Sequence, residues 1–480
     1  MILDKYNPYK NATIVKDSSG KYYDCTLNQT DIKSNKNKFY IMQLVKNNSD
    51  YIVFIRYGRV GVKGTVNSIP YTDKCLAERY FNKQFRSKTG NMWGSKFSEK
   101  KGKYFLADIS YDKELEKIDI PKTIKIPKSK LHKKVFDFIQ MISDINMVKN
   151  ALIELDIDPK KMPLGKITES QLSKAKSILD VLSKTVDNNM VCEYSSKYYT
   201  YIPISCGRTA PPLINNPDII AKYRDLIDEL SNIAVGINII KKSDNNYDKN
   251  PIDNIYDDIN TKLSPLRKNT SIYKNINKFI INTHGCTHGC KLELLDIFKV
   301  AQEGKEEAYM NHSENISNKM LLFHGTPQSC VLSIFKKDFY LDPSKLGVQI
   351  AGKMFGYGVY FADCATKSFN YTRANSTQDV GCLLVAEVAL GNMYECDGAN
   401  PSIDKAFLGK FNCSSTKGLG KWAPSSSTTL PDGTGIPNGM IEEVNNKAYL
   451  RYNEYIVYDI NQILIKYVCV VKNSGSYGGW

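Results

Sequence analysis

Three short segments in the last third of the chain each set one side chain able to exchange protons or hydrogen bonds into an apolar run. These are His324 in LLFHGT (321–326), Tyr360 in MFGYGVYFAD (354–363) and Glu454 in YNEYIVYD (452–459). All three runs read as strands, and in the last of them strict alternation puts Glu454 on the face of Tyr452, Ile456 and Tyr458. An unpaired carboxylate buried there would cost on the order of several kcal/mol, so Glu454 is either hydrogen-bonded for structure or held for a ligand. Taken singly, His324 also reads as a satisfied core histidine and Glu454 as an ion-paired or edge carboxylate.

Two further patterns invite chemistry and support less of it. In THGCTHGC, His284, Cys286, His288 and Cys290 alternate, so an extended chain would set four metal-capable groups on one face. Ligands so closely spaced strain around one tetrahedral ion, and the chain has no CxxC to complete a zinc set, so a polar loop entering the next strand is expected and no metal. The GxG of FGYGVYF lacks the six-residue dinucleotide fingerprint, so no Rossmann turn is expected.

Elements must hold these residues, and 480 residues imply about three domains. With 42% hydrophobic and 24% charged residues the composition is that of a globular protein. No apolar run of about 18 residues is present, and MILDKYNPYK has no apolar h-region, so neither membrane insertion nor secretion is expected. Twelve cysteines scattered from Cys25 to Cys469 suit a reducing, intracellular setting. A net charge of +15 points to a polyanionic partner, tempered by a bias toward Asn, Lys, Ile and Tyr along the whole chain.

From about Cys25 to Tyr111 short alternating runs such as KFYIMQLV and YIVFIRYGRVG surround one helical stretch, roughly Thr72 to Arg86. PKTIKIPKSKLHKK at 121–134 reads as a basic linker. The period then becomes helical. Leu131, Val135, Phe138, Ile142 and Ile145 form one stripe; Leu172, Ala175, Leu179, Leu182 and Val186 follow the capping-box pattern Thr168-x-x-Gln171; and Leu226, Leu230, Ile233, Ile237 and Ile240 follow the cap Asn216-Pro217. After SDNNYDKN (243–250), strands alternate with turns, beginning with KLELLDIFKV (291–300). Residues 409–448 lack periodicity and read as a long functional or disordered loop, with Gly435 and Gly439 suited to sharp turns.

The three opening segments, with TKSFNY (366–371) and EVALGNMYE (387–395), closely resemble the signature of the poly(ADP-ribose) polymerases. The stretch around Tyr57, Gly58 and Arg59, with KTGNMW at 88–93, resembles the WGR domain of such enzymes, with tyrosine in place of the name-giving tryptophan. IDPKKMPLGKI (157–167) resembles their helical regulatory domain, although Asn232 and Ala234 stand where acidic residues are expected. The resemblance implies an α+β chain: an N-terminal extension (1–24), a small mixed α/β WGR-like domain (25–115), a basic linker (116–127), an all-α regulatory bundle (128–242), a linker (243–254) and a split antiparallel-sheet ADP-ribosyltransferase domain (255–480).

It also implies site roles. His324, Tyr360 and Glu454 would be the catalytic trio; His324, Gly325, Thr326, Tyr360, Ala362, Lys367, Ser368 and Tyr371 would line the site for NAD, a substrate here; and Tyr57 and Arg59 would meet nucleic acid. Backbone groups at Gly325 and the Ser368 hydroxyl would hold the nicotinamide carboxamide, with Tyr360 and Tyr371 flanking its ring. His324 and Thr326 would bind ribose hydroxyls, and Glu454 would hold the reacting ribose and polarise the acceptor. Tyr357 replaces a lysine expected from relatives, which would alter acceptor-side contacts. The implied partners are DNA with strand breaks and protein acceptors including the chain itself, with room for an accessory protein that completes the site, and the implied location is the nucleus or wherever that DNA resides. A mono-ADP-ribosyltransferase or NAD glycohydrolase on the same fold, and a silent DNA-end-binding scaffold, are the alternatives.

Overall fold

The computed structural model describes residues 3–107, 127–144, 168–243, 248–341, 353–374, 379–445 and 447–475. Ile145, IDPKKMPLGKI, residues 108–126 and the tail from 476 lie outside them. The chain forms two compact units, Met1–Ile120 with Lys149–Ile237 and Pro121–Val148 with Asn238–Trp480.

In the first unit, β1 (Thr13–Ile14), β2 (Asp24–Asp31), β3 (Lys36–Asn47), β4 (Asp50–Arg59), β5 (Thr65–Tyr71) and β6 (Phe105–Leu106) form an antiparallel sheet. The order is β5-β4-β3-β2-β6, with β1 also on β3. The alternation read from the sequence sends Cys25, Leu27, Tyr40, Met42, Val53 and Ile55 onto Ala77, Phe81 and Phe85 of α1 (Lys74–Thr89). The Asp73 carboxylate caps α1 by accepting from the Leu76 N–H, and Gly90 ends it in the left-handed conformation.

Next in the chain, α2 (Lys133–Ile142) belongs to the second unit, while α3 (Glu169–Leu182) and α4 (Asn188–Tyr201) return to the first, followed by the long α5 (Pro217–Ser243). Thr168 caps α3 as its spacing requires, but only half of the capping box forms, because the buried Gln171 side chain donates to the Tyr201 carbonyl. Asn216 caps α5 through the Ile219 N–H. Sequence reading missed α4, whose buried face includes Val191, Cys192, Ser195, Tyr198 and Tyr199, a stripe too polar to register as a hydrophobic period.

The second unit continues through α6 (Pro251–Asp258), β7 (Thr261–Pro265), α7 (Ser271–Asn282), β8 (Leu292–Gln302), α8 (Lys305–Ser313), β9 (Lys319–Gly325), α9 (Gln328–Lys337), β10 (Val359–Phe361) and α10 (Ala365–Phe369). Then come β11 (Val380–Ala389), β12 (Met393–Cys396), α11 (Lys405–Gly409), β13 (Ser415–Gly418), β14 (Gly420–Pro424), β15 (Thr428–Thr429), β16 (Gly435–Ile436), β17 (Ile441–Glu443), β18 (Leu450–Tyr452), β19 (Glu454–Val457) and β20 (Ile463–Asn473). A seven-stranded sheet runs β15-β16-β9-β11-β20-β8-β7, a four-stranded one β10-β19-β13-β12 and a three-stranded one β17-β14-β18. The central strands β9 and β11 are apolar on both faces, and Phe323 of β9 stacks on Phe279 of α7 at a 3.9 Å centroid separation.

The stretch 409–448 is thus no simple loop: five strands of two to five residues build it into all three sheets, each too short to show a period. Gly435 makes no sharp turn but lies in β16, paired with Met320, whereas a Cβ on Gly439 would sit 2.4 Å from the Ser426 nitrogen. Among the described residues of the second unit, five that are not glycine have positive φ: Asn260, Asn318, Asp338, Arg373 and Asn412. Asp338, which ends α9, has φ 66° and ψ −175°, a conformation that costs a side-chain-bearing residue about 1–3 kcal/mol.

Candidate active site

Two of the sheets are stitched together beside the predicted trio. Phe323 of β9 and Ala362, just past β10, exchange both backbone hydrogen bonds at 2.9 Å. This bridge sets His324 next to Tyr360, and the imidazole Nδ1–H donates to the Tyr360 carbonyl at 2.9 Å. A carbonyl only accepts, so the proton resides on Nδ1 and Nε2 keeps a lone pair. On its other side β10 pairs with β19 in the register Tyr360↔Ile456 and Phe361↔Tyr455. Glu454 therefore falls level with Ala362, and the three side chains come from three laterally adjacent strands.

Each member is held by a distinct means. His324 is packed edge-on against Phe339 (4.8 Å between centroids) and near Phe361 (5.7 Å). Burial, helped by the nearby Lys353 cation, pulls its pKa down to about 4 against the upward pull of the Tyr360 bond, so it is neutral near pH 7. The Tyr360 hydroxyl donates to the Gly356 carbonyl (2.9 Å) and accepts from the Phe355 N–H (3.1 Å), which leaves the ring as its working surface. Lys353 lies 5.5 Å from that ring and 5.7 Å from the Tyr357 ring, so a lysine four residues upstream brings an ammonium to the region where the sequence has Tyr357.

Glu454 does not stand alone. Its Oε1 is 3.0 Å from Lys367 Nζ, and the same ammonium donates to the carbonyls of Tyr452 and Asn453 at 3.0 and 3.1 Å. Lys367 was expected in the NAD contacts; the structure places it as the partner that ties α10 to the start of β19. The strand predicted across 452–459 is broken at Asn453. Its side chain accepts from the Gly420 N–H and donates to Asp363, which also takes the Tyr455 hydroxyl. Burial pushes the Asp363 carboxyl up while these two bonds pull it down, and its Oδ1 has no partner among the described residues. Because of the break Tyr452 leaves the face of Glu454 and pairs in the three-stranded sheet, while Ile456 and Tyr458 enter the core under Tyr360.

The remaining expected positions divide. Gly325 ends β9, where an added Cβ would lie 1.7 Å from the Ser368 carbonyl oxygen, so glycine is required by α10 whatever else approaches. The Ser368 hydroxyl donates to the Phe323 carbonyl at 3.3 Å, Thr326 and Ala362 are buried, and Tyr371 is 60% exposed. THGCTHGC is occupied in packing. His284 bonds the Cys290 carbonyl, His288 and the Gly285 N–H both meet Thr366 Oγ1 at 2.8 Å, and the Thr287 N–H donates to the Tyr452 hydroxyl at 3.0 Å. Sequence reading missed Asp363, Asn453 and Thr366; their signal was local, since each lies within a motif already singled out.

In the first unit, Tyr57 is 43% exposed and stacks on Tyr40 across the β3–β4 ladder at 5.7 Å. Arg59, expected to meet nucleic acid, is hydrogen-bonded within the unit. Its guanidinium donates to the Gly207 carbonyl (2.6 Å), the Asn35 carbonyl (2.9 Å) and side chain (2.6 Å), and the Thr209 carbonyl. A carbonyl cradle satisfies an arginine without an anion, and here it joins β4 to the segment after α4.

Comparison with known proteins agrees with this architecture. Residues 270–473 match the poly(ADP-ribose) polymerase catalytic domain, 129–256 the poly(ADP-ribose) polymerase regulatory domain and 23–101 the WGR domain. The poly [ADP-ribose] polymerase 2 of Homo sapiens is 33% identical over 94% of this chain and 79% of its own length, and that of Arabidopsis thaliana 32% identical over 98% and 76%. The poly [ADP-ribose] polymerase 1 of Gallus gallus is 34% identical over 98% of this chain, which spans 47% of that relative's length. The chain belongs to the poly(ADP-ribose) polymerase family.

Proposed function

We propose that the chain is an NAD-dependent poly-ADP-ribosyltransferase, responsive to DNA breaks, that moves ADP-ribose from NAD to protein acceptors and to growing chains and releases nicotinamide. The observation that carries the reading is the alignment of His324, Tyr360 and Glu454 on three adjacent strands, with Glu454 held by Lys367. The C–N bond between nicotinamide and ribose breaks, and its electron pair leaves with nicotinamide. Positive charge develops on the sugar, and the acceptor oxygen closes on the carbon that nicotinamide left. The Nε2 lone pair of neutral His324 accepts a ribose hydroxyl, and the Tyr360 ring flanks the nicotinamide. The Glu454 carboxylate accepts hydrogen bonds from the reacting ribose and takes the proton of the incoming hydroxyl. Gly325 and Ser368 serve the carboxamide. The first of these offers only backbone.

The WGR-like part, 25–115, and the basic balance of the chain support a DNA partner, with Tyr57 the exposed aromatic for stacking. Residues 128–242 act as the regulatory segment and 255–480 as the catalytic domain, and the site of action is the nucleus or wherever the DNA resides. Among the described residues no helix is long and apolar enough to cross a membrane.

Purified protein incubated with labelled NAD, with and without a short nicked duplex, tests the reading when products are resolved by size. Long products that grow with the duplex are expected, and Glu454→Gln should reduce elongation by about 10²–10⁴-fold. Single units or free ADP-ribose from the wild type would instead indicate a mono-transferase or glycohydrolase.

A further inference from the structure

His324 rests on Phe339, and Phe339 is aimed by the residue before it. Asp338 closes α9 with its N–H bonded to the Ile334 carbonyl at 2.8 Å, then turns through φ 66° and ψ −175°, where glycine is the natural occupant. That turn folds the chain back so that Phe339, only 7% exposed, meets the imidazole at 4.8 Å and Phe361 at 5.9 Å. What holds an aspartate in this shape is Lys305. This lysine is 9% exposed at the start of α8, its Nζ is ion-paired to Asp338 Oδ2, and it also donates to the Ile460 carbonyl at 2.7 Å. Ile460 opens the turn that leaves β19, the strand of Glu454. One buried ammonium therefore joins the end of α9, which seats the His324 support, to the exit of the strand that carries the carboxylate.

We propose that Lys305 and Asp338 are positioning residues for His324: their buried ion pair keeps a glycine-type turn in an aspartate and so fixes Phe339 against the imidazole. The role in turnover rests on the transferase reading; the role in seating His324 does not. A carboxylate that merely stabilised the domain would have no need of this backbone shape, since paired aspartates sit readily in ordinary helix ends. The pair sets the ring that would face the ribose. It touches no reacting atom itself.

The test separates conformation from charge by removing the lysine and varying residue 338. In Lys305→Met/Asp338→Gly the pair is gone but glycine adopts the turn freely; in Lys305→Met/Asp338→Ala the pair is gone and the turn is disfavoured. The expected result is a KM for NAD within about twofold of wild type for the glycine variant and raised about fivefold or more for the alanine variant, with kcat changed less than KM in both. The chain has five histidines, so ¹⁵N-histidine labelling gives a spectrum simple enough to follow His324, assigned from a His324→Asn sample. Its titration should stay low in the glycine variant and move toward the ordinary value of 6.5 in the alanine variant. Glycine and alanine variants that agree in both KM and titration overturn the proposal. A titration difference in a protein that does not consume NAD would sink the transferase reading and leave the positioning role standing.

Discussion

A carboxylate with 14% of its side chain exposed and one lysine partner, itself 14% exposed, is sensitive to that partner's loss. Lys367→Met should lower stability by about 1–3 kcal/mol, because an oxygen of Glu454 loses its ammonium in a half-dry setting. Turnover should fall about tenfold for loss of a positioned group, and Lys367→Arg should recover part of both. Urea unfolding beside steady-state kinetics reads the two effects, and a normal kcat in the methionine variant would reduce the pair to a structural contact. The two depressed histidines make a second prediction. Burial holds His324 and His288 at about 4, below the 6.5 they have when unfolded, so the unfolded chain takes up more protons as pH falls. The stability these groups contribute is intact above 6.5 and is lost as pH falls toward 4. Urea midpoints on either side of that window should show the decline, and His288→Gln should remove about half of it. By the same sign the rate should show no acid limb at 6.5 from His324.

Elements position these residues through backbone contacts that leave no room for change. β9 runs against α10 so closely that Gly325→Ala would drive a methyl into the Ser368 carbonyl at 1.7 Å, and the two elements would have to separate. A loss at the upper end of about 1–3 kcal/mol follows, with a larger loss of NAD binding than the same substitution at Gly435, whose Cβ would meet nothing nearer than 3.7 Å. Equal effects at the two glycines, measured by thermal melting and NAD titration, would contradict this account. α10 is in turn secured by the THGCTHGC loop through Thr366, and β18 by the same loop through Tyr452. A stretch that alternates like a ligand set thus works as a clamp on the two segments flanking Lys367 and Glu454.

For the whole molecule, a net charge of +15 and the WGR and regulatory matches make DNA response the property to measure. If the regulatory segment couples to the site, a nicked duplex should raise NAD turnover on the order of 5–150-fold, the range of ordinary coupling energies. Affinity for the duplex should fall steeply with salt as counterions are released. Because Arg59 is held by carbonyls, Arg59→Gln should weaken the first unit's stability more than it alters the salt slope. A slope reduced by about one would restore the phosphate-contact reading.

The residue types of the trio, the caps at Thr168 and Asn216, the alternation of β2–β4 and the apolar stripes of α2, α3 and α5 were legible in the sequence, because period and capping are local properties of a few neighbouring residues. The exception is Val186, read into the α3 stripe, which lies past the helix and is 93% exposed. Its motif spacing also carried the family, and with it the domain order that the matches repeat. Only the tertiary structure decided which groups are spent on one another: Lys367 on Glu454, Arg59 on the carbonyls after α4, Lys305 on Asp338. Those pairs join residues from 33 to 150 positions apart, and sheet order and register, set by burial over the entire core, bring them together. A linear pattern records which side chains are able to act, and the fold determines which of them are already engaged.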